Sequence, residues 1–360
     1  MSEQEAEHRF PCPECGSDLR YNPDHGHLKC DHCGAEALLE PFLSHDEARK
    51  ELSYLAAISA DIPESEIEVT RVVSCESCGA QVEFNGGDHA AECPFCATPV
   101  VVCTGTHRHL KPRAVVPFAW SETKARDAVG RWLGRLWFAP NGLKEYARKG
   151  RRLQGIYVPY WTYDSDSTSH YSGERGDHYY VTVTVNGKTK QERRTRWSRR
   201  SGTVARMFDD VLVLASHSLP KRYTDNLAPW DLRALEPYAP AWLAGFRAEA
   251  YSVELKEGFD EAQDIMDGII RGDVRRDIGG DVQRIHSLDT THRDVTFKHI
   301  LLPVWMAAYK YRGKSYRYVV NGFTGKVQGE RPYSKWKIAF AVVVGLIVAA
   351  IAAYVFNQNQ

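Results

Sequence analysis

Residues 12 to 33 read CPECGSDLRYNPDHGHLKCDHC, and residues 75 to 96 read CESCGAQVEFNGGDHAAECPFC. Both stretches have the spacing C-x2-C-x14-C-x2-C, so the first hundred residues hold two copies of one design. Each C-x-x-C makes a tight knuckle whose two thiolates point at one ion, and two knuckles complete a tetrahedron with bonds of about 2.3 Å. Gly16, Gly34 and Gly79 follow the second cysteine of three pairs, where a knuckle calls for positive φ, and Ala97 takes that place in the fourth. The expected cofactor is Zn2+, two ions per chain. Cys12, Cys15, Cys30 and Cys33 are the ligands of one, and Cys75, Cys78, Cys93 and Cys96 of the other. Closed four-sulfur sets leave no position for a substrate and point to structural ions. Redox dithiols are the competing use of such pairs, and they would not require two matched sets.

Working outward, residues 10–40 and 73–105 are expected to be zinc ribbons, with a helical linker over 41–72. In that linker, Leu43 to Ser59 reads as a short amphipathic helix with Ser44 as cap and Glu47 three residues on, and acids around Pro63 follow it. The ninth cysteine, Cys103, has His107 and His109 nearby but no fourth ligand at suitable spacing, so it reads as a free thiol. His25, His27, His32 and His89 read as surface residues of the ribbons.

The chain has 360 residues with 46 basic and 46 acidic side chains. That zero hides two opposite halves: residues 1–100 carry a net charge of −14 and residues 101–360 a net charge of +14. A hydrophobic share of 43% excludes a disordered or collagen-like chain, and nine cysteines are too few for a disulfide scaffold. The acidic start MSEQEAEHRF does not read as a secretory leader.

Residues 112–332 are expected to form one α+β domain. Ser121 to Phe138 predicts a helix, with Ala125, Ala128, Val129, Trp132, Leu133, Leu136 and Trp137 on one stripe and Pro140, Asn141 and Gly142 after it. Strand signals follow at Ile156 to Asp164, His178 to Val185 before an Asn186-Gly187 turn, and Val211 to Ser216. Residues 227–278 read as mixed and mainly helical. A last β block covers His299 to Tyr311 and Ser315 to Val320, before an Asn321-Gly322 turn. Ile156-Tyr-Val-Pro159-Tyr-Trp161 matches Ile300-Leu-Leu-Pro303-Val-Trp305, and each leads to a Tyr-rich strand ending Val-Asn-Gly; the reading is two related β units, with chance similarity in a Tyr- and Val-rich chain as the alternative. Tyr160, Trp161, Tyr163, Trp305 and Tyr309 are expected to be core aromatics.

From Ile338 to Phe356 the chain runs 19 residues without a charge, about 28 Å as a helix, against a bilayer core of about 30 Å. Arg331, Lys335 and Lys337 precede this stretch, with Tyr333 and Trp336 at interface depth, and only Asn357 to Gln360 follow. The expectation is a single membrane span over 338–356 with the N-terminal domains in the cytoplasm.

The basic run Lys190 to Arg200, KQERRTRWSRR, has three readings: a solvated loop, a hairpin that meets anionic lipid or an acidic partner, or a nucleic-acid contact. The negative charge of the ribbons repels phosphate and favours protein partners there. Asp260-Glu261-Ala262-Gln263 imitates a helicase box, but no G-x4-G-K-[ST] segment accompanies it, since Gly325-Lys326 lacks the remaining residues; helix-start chemistry accounts for the two acids. Asp164 and Asp166 read as a polar loop at a strand end rather than paired catalytic carboxylates, with a cleft formed with His170 as the observation that would favour an enzyme. No catalytic residue is assigned and no enzyme is expected.

The two ribbons, the Pro159 to Asp164 and Leu302 to Trp305 strands, the Asn321 to Lys326 turn and the final apolar helix together resemble a bacterial family of membrane-anchored double zinc-ribbon proteins. Its members are often labelled primosomal protein N-prime (replication factor Y) or superfamily II helicase, although this chain lacks the ATPase motor. The family is similar to the zinc-ribbon membrane component of phage-shock-type complexes. The resemblance implies a non-enzymatic scaffold or adaptor at the bacterial inner (plasma) membrane, used in envelope-stress protein recruitment. A protein partner would sit at the acidic ribbons and anionic lipid at the basic domain. The alternative is a membrane-tethered nucleic-acid-binding protein, and homo-oligomerisation is left open.

Overall fold

The computed structural model describes residues 10–39, 50–59, 63, 66–75, 77–83, 90–95, 99–101, 105–138, 153–185, 188–311, 314–330 and 333–358. Cys96, Ala97, Cys103, His89, the Leu43 to Arg49 part of the expected linker helix, and the Pro140 to Gly142 and Asn186-Gly187 turns lie outside the described residues. The chain is mixed α+β, with cysteine clusters in its N-terminal part and one long apolar helix at its C-terminal end.

The first cysteine unit is a small sheet of β1 (Leu19–Asn22), β2 (His27–Cys30) and β3 (Glu36–Ala37). Beyond it come β4 (Leu52–Ser53) and a one-turn helix α1 (Tyr54–Ile58), capped by Ser53, whose hydroxyl accepts from the Ala56 amide. The helix expected to run through to Ser59 is thus broken at Leu52, because Leu52 and Ser53 pair as a strand with Phe297 and Thr296. The second cysteine unit spans β5 (Ile67–Ser74), β6 (Gln81–Glu83), β7 (Ala90–Glu92), β8 (Pro99–Val101) and β9 (Gly105–Leu110).

The remaining chain builds one large sheet. It contains β10 (Ala114–Val115), then α2 (Glu122–Gly134), β11 (Gln154–Val185), β12 (Lys188–Leu214), α3 (Lys221–Leu227), β13 (Glu236–Pro237) and β14 (Arg247–Ala248). It continues through α4 (Leu255–Ile278), β15 (Val282–Tyr311), β16 (Lys314–Asn321), β17 (Val327–Gly329) and α5 (Lys335–Gln358). Helix α2 buries Ala125, Ala128, Val129 and Leu133 as its sequence stripe requires, while Trp137 at the end of that stripe is exposed.

The two Pro-x-Trp segments lie antiparallel against each other at the centre of this sheet. Val158 faces Leu302, its own counterpart in the sequence match, so a local twofold axis passes between them. The neighbours obey the same axis. β14 runs parallel to β11 at Ile156 and Tyr157, and β10 runs parallel to β15 at Ile300 and Leu301. β12 begins pairing at Tyr160 and β16 at Val304, which are again counterparts. The Trp161 indole N–H donates to the Val253 carbonyl at 2.9 Å, and that of Trp305 to the Trp120 carbonyl at 2.7 Å. Val253 and Trp120 each stand two residues before a helix, α4 and α2, so each tryptophan holds the helix start of the other unit.

Successive residues of a strand point to opposite faces. On one face Tyr157, Leu301 and Trp305 pack with Leu19, Tyr21 and Leu28 of the first cysteine unit and with α2. On the other face Ile156, Val158, Leu302 and Val304 pack with Val82 and Phe95 of the second cysteine unit and with Leu227 of α3. The central sheet is therefore covered by one cysteine unit on each side.

Beyond this head, β12, β11 and β15 continue as a three-stranded arm. At about 3.3 Å per residue the 32 residues of β11 span roughly 100 Å. Helix α4 lies along one face of the arm through Phe259, Ala262, Met266, Ile270, Val274 and Ile278, a stripe at steps of three and four. The arm leaves the head at paired bulges: the ladder skips Asp164 against β12 and Ser165 against β15, and Asp210 and Asp294 take positive φ there. The basic run Lys190 to Arg200 is part of β12, the outer strand of the arm, which excludes the loop reading. Residues 282–298, to which the sequence assigned no strand, form the arm half of β15.

Candidate functional site

The knuckles share one backbone pattern. The amides of Gly16, Gly34 and Gly79 donate to the carbonyls of Cys12, Cys30 and Cys75 at 2.9, 3.0 and 2.8 Å. The amides of those same cysteines donate forward to Ser17, Ala35 and Ala80. Closing such a turn takes the left-handed region, and the three glycines have φ of 76°, 79° and 73°.

In the first unit the sulfurs of Cys12, Cys15, Cys30 and Cys33 all lie within 4.8 Å of one another, with Cys12 to Cys33 and Cys15 to Cys30 both at 3.5 Å. A zinc tetrahedron with bonds of about 2.3 Å has edges of about 3.8 Å, so the donor set fits that ion in chemistry and in size. Cys12 and Cys30 are buried, whereas Cys15 and Cys33 reach the surface. Backbone and side-chain hydrogen bonds from Ser17 lower the Cys15 thiol to about 6, which favours the thiolate a metal takes. In the second unit Cys75, Cys78 and Cys93 cluster in the same way, with Cys78 to Cys93 at 3.7 Å. The fourth ligand expected from the spacing, Cys96, is outside the described residues.

These clusters are built into the body. The Tyr21 amide donates to the Ala244 carbonyl at 2.9 Å, its ring meets Trp242 edge-on at 5.1 Å, and Lys124 of α2 pairs with Asp24 at 2.7 Å. The Ala250 amide donates to Gln81 at 3.0 Å, and Val82 bridges to Glu249. No local sequence pattern signals this docking, which depends on contacts between distant segments.

Of the other residues singled out by sequence, Tyr160, Trp161, Tyr163 and Trp305 are buried core aromatics, and the side chain of Tyr309 is outside the described set. His25 is exposed and its ring lies 5.4 Å from that of His27, His27 is half-buried and pairs with Glu36 at 3.1 Å, and His32 is exposed. His109 is buried beside the Tyr251 ring. Asp260 and Glu261 sit in the second turn of α4, not its first, so helix-start chemistry is not what places them; Glu261 pairs with Lys221 of α3 at 2.6 Å. Asp166 and His170 are exposed on the open face of the arm and form no cleft with Asp164. Asp164 instead meets Glu51 and Asp209, a cluster that sequence reading missed because its members lie far apart in the sequence.

His299 is a buried titratable group in the head. Its Nδ1 donates to the Leu110 carbonyl at 2.8 Å, and its ring packs on Trp161 and Tyr251. Burial pushes it from 6.5 down to about 3. The folded state therefore binds fewer protons than the unfolded chain, and this contribution is present above pH 6.5 and lost as pH falls towards 3. In this window the loss approaches about 1.4 kcal/mol per pH unit. Unfolding curves at pH 7.5, 6.5 and 5.5 are expected to fall more steeply for the native protein than for His299→Gln; parallel curves would contradict the assignment.

No family model matches the chain, and no solved structure matches it. It is 26% identical over 339 residues to the uncharacterized protein YdjG of Bacillus subtilis, a match covering 92% of each protein. It is also 31% identical over 77 residues to Transcription factor S of Sulfolobus acidocaldarius, a match that takes in 19% of this chain and 66% of that protein.

Proposed function

We propose that the chain is a non-enzymatic, zinc-stapled scaffold held on the cytoplasmic face of a bacterial plasma membrane by α5. The observation that carries this reading is α5 itself. Its apolar residues Phe340, Leu346, Ile351 and Phe356 are all exposed, while the helices α2 and α4 each bury a stripe against the body. A helix of 22 residues whose apolar window is not buried against the body suits a lipid surrounding. Lys335 and Lys337 at its start set the body on the cytoplasmic side.

Two zinc ions would hold the cysteine units, with Cys12, Cys15, Cys30 and Cys33 around one and Cys75, Cys78, Cys93 and Cys96 around the other. Their role is to fix the covers of the central sheet, which keeps a long arm rigid. The acidic outer surface of these units supports a protein partner, and recruitment during envelope stress is the role the family resemblance adds.

A second reading rests on the arm. Arg193, Arg194, Arg199 and Arg200 are exposed along β12, and Arg284 stacks over Trp197 at 3.9 Å. This basic, aromatic edge suits an anionic polymer, and Transcription factor S is a relative of one part of the chain. The anchor joins the head, so the arm runs about 80 Å along its strands from the rung where β17 leaves the sheet to Val282, which separates such a surface from the attachment point.

The test is fractionation of cells expressing the full chain or residues 1–334. The full chain is expected in the membrane fraction and resistant to carbonate extraction, and the shortened chain in the soluble fraction with its zinc retained. A full chain recovered as soluble protein would sink the scaffold reading, and salt-sensitive DNA or RNA binding lost on neutralising the four arginines would favour the second.

A further inference from the structure

At the base of the arm, Glu51 precedes β4, Asp164 stands at the bulge of β11, and Asp209 stands opposite it on β12. One carboxylate oxygen from each lies within 4.8 Å of the other two. Oxygens around one ion at about 2.4 Å are separated by at most about 4.8 Å, so the three fit a single coordination sphere.

The charges there do not balance. Lys298, buried against the same face, pairs with Glu51 at 2.6 Å and with Asp210 at 2.8 Å. Two carboxylates thus share one ammonium, and those of Asp164 and Asp209 lie beside Glu51. The Asp210 amide donates to Asp164 at 2.7 Å.

A second, independent observation lies behind the acids. Thr162 is wholly buried, and its hydroxyl has no hydrogen-bond partner among the described residues. Strand alternation puts its side chain on the face of Asp164, and it stands directly opposite Lys298 on β15, whose ammonium is in the cluster. A buried hydroxyl left without a partner costs roughly as much as a lost hydrogen bond, and an oxygen ligand site supplies one.

We propose that Glu51, Asp164 and Asp209, backed by the Thr162 hydroxyl, form a binding site for one hard divalent cation of the magnesium or calcium class. Such ions prefer carboxylate and hydroxyl oxygens, whereas zinc is drawn to the thiolate sets. The cation offsets the surplus negative charge beside Lys298 and ties the strand that follows the first cysteine unit to the base of the arm. The site is independent of the zinc and membrane readings.

The experiment is calorimetric titration of the full chain in detergent with Mg2+ alone and with Ca2+ alone, after washing with a weak chelator that spares zinc. One saturable site per chain is expected for at least one of the two ions. Asp209→Asn, an exposed position whose change leaves the core intact, is expected to weaken binding about tenfold or more, and Thr162→Val about threefold, with zinc content and circular dichroism unchanged. Asp164→Asn with Asp209→Asn is expected to abolish it. Absence of saturable binding for both ions up to about 10 mM, or native affinity in Asp209→Asn, overturns the proposal; if the double variant does not fold, Asp209→Asn alone decides.

Discussion

Cys12→Ser is expected to lower the thermal transition of the whole cytoplasmic body by more than about 10 °C or to leave it insoluble, rather than to loosen a tethered knuckle. Cys12 is 2% exposed and belongs to the same packed cluster as Leu19, Tyr21, Leu28, Tyr157 and Trp305. Structural zinc contributes an apparent 10–16 kcal/mol, roughly, in small four-ligand domains, which is comparable with the total stability of about 5–15 kcal/mol of a folded domain. Without the ion, the first cysteine unit would lose the link between its two knuckles and uncover Tyr157 and Phe118, both almost inaccessible in the folded chain. Cys75→Ser is expected to do the same to the opposite face through Val82 and Phe95. Differential scanning calorimetry of the detergent-solubilised chain checks both. A body transition unchanged in either variant would mean that the unit is not part of the fold's support.

Trp161→Ala is expected to cost about 3–5 kcal/mol, the range for removing a large aromatic from a core. Trp161 has no exposed surface and packs against Tyr251 at 4.9 Å and Phe297 at 5.9 Å. Its loss also leaves the Val253 carbonyl without its donor at the start of α4, so the helix that covers the arm is loosened at its root. Trp305→Ala is expected to have a parallel effect on α2 through Trp120, because the local twofold axis gives the two tryptophans the same job. Urea unfolding followed by circular dichroism reads both; a change below about 1 kcal/mol for Trp161→Ala would be inconsistent with its place in the core.

The parts of the fold that could be read from sequence were those set by short-range chemistry. The glycines after the cysteine pairs take the positive φ their position implied, α2 buries its predicted stripe, and the two Pro-x-Trp segments meet as related strands. The arm was not legible, for a physical reason. Along β11 the residues beneath α4 are Ser165, Ser167 and Ser169, small polar side chains whose hydroxyls bond to neighbouring strands, so the apolar alternation of a half-buried strand is absent. On β12, which lies at the edge, charge marks both faces and reads as loop; arginine and lysine on such an edge also discourage pairing with other chains. The docking of the cysteine units depends on Tyr21 meeting Trp242 and Gln81 meeting Ala250, contacts that no local pattern encodes. The Glu51, Asp164 and Asp209 cluster is further still from local reading, since a bulge re-aims one of its members.

The opposite charges of the two halves of the chain also take on a structural meaning. The acidic half is wrapped onto the basic half, with Lys124 on Asp24 and Lys298 on Glu51 as direct links, so the two do not act as separate modules.

Metal analysis of the full chain, purified in detergent without added chelator, tests the central claim most directly, that two zinc-filled cysteine units cover the two faces of one sheet. About two zinc ions per chain are predicted, falling to about one in Cys12→Ser and in Cys75→Ser alike. One ion or none in the native protein would contradict it.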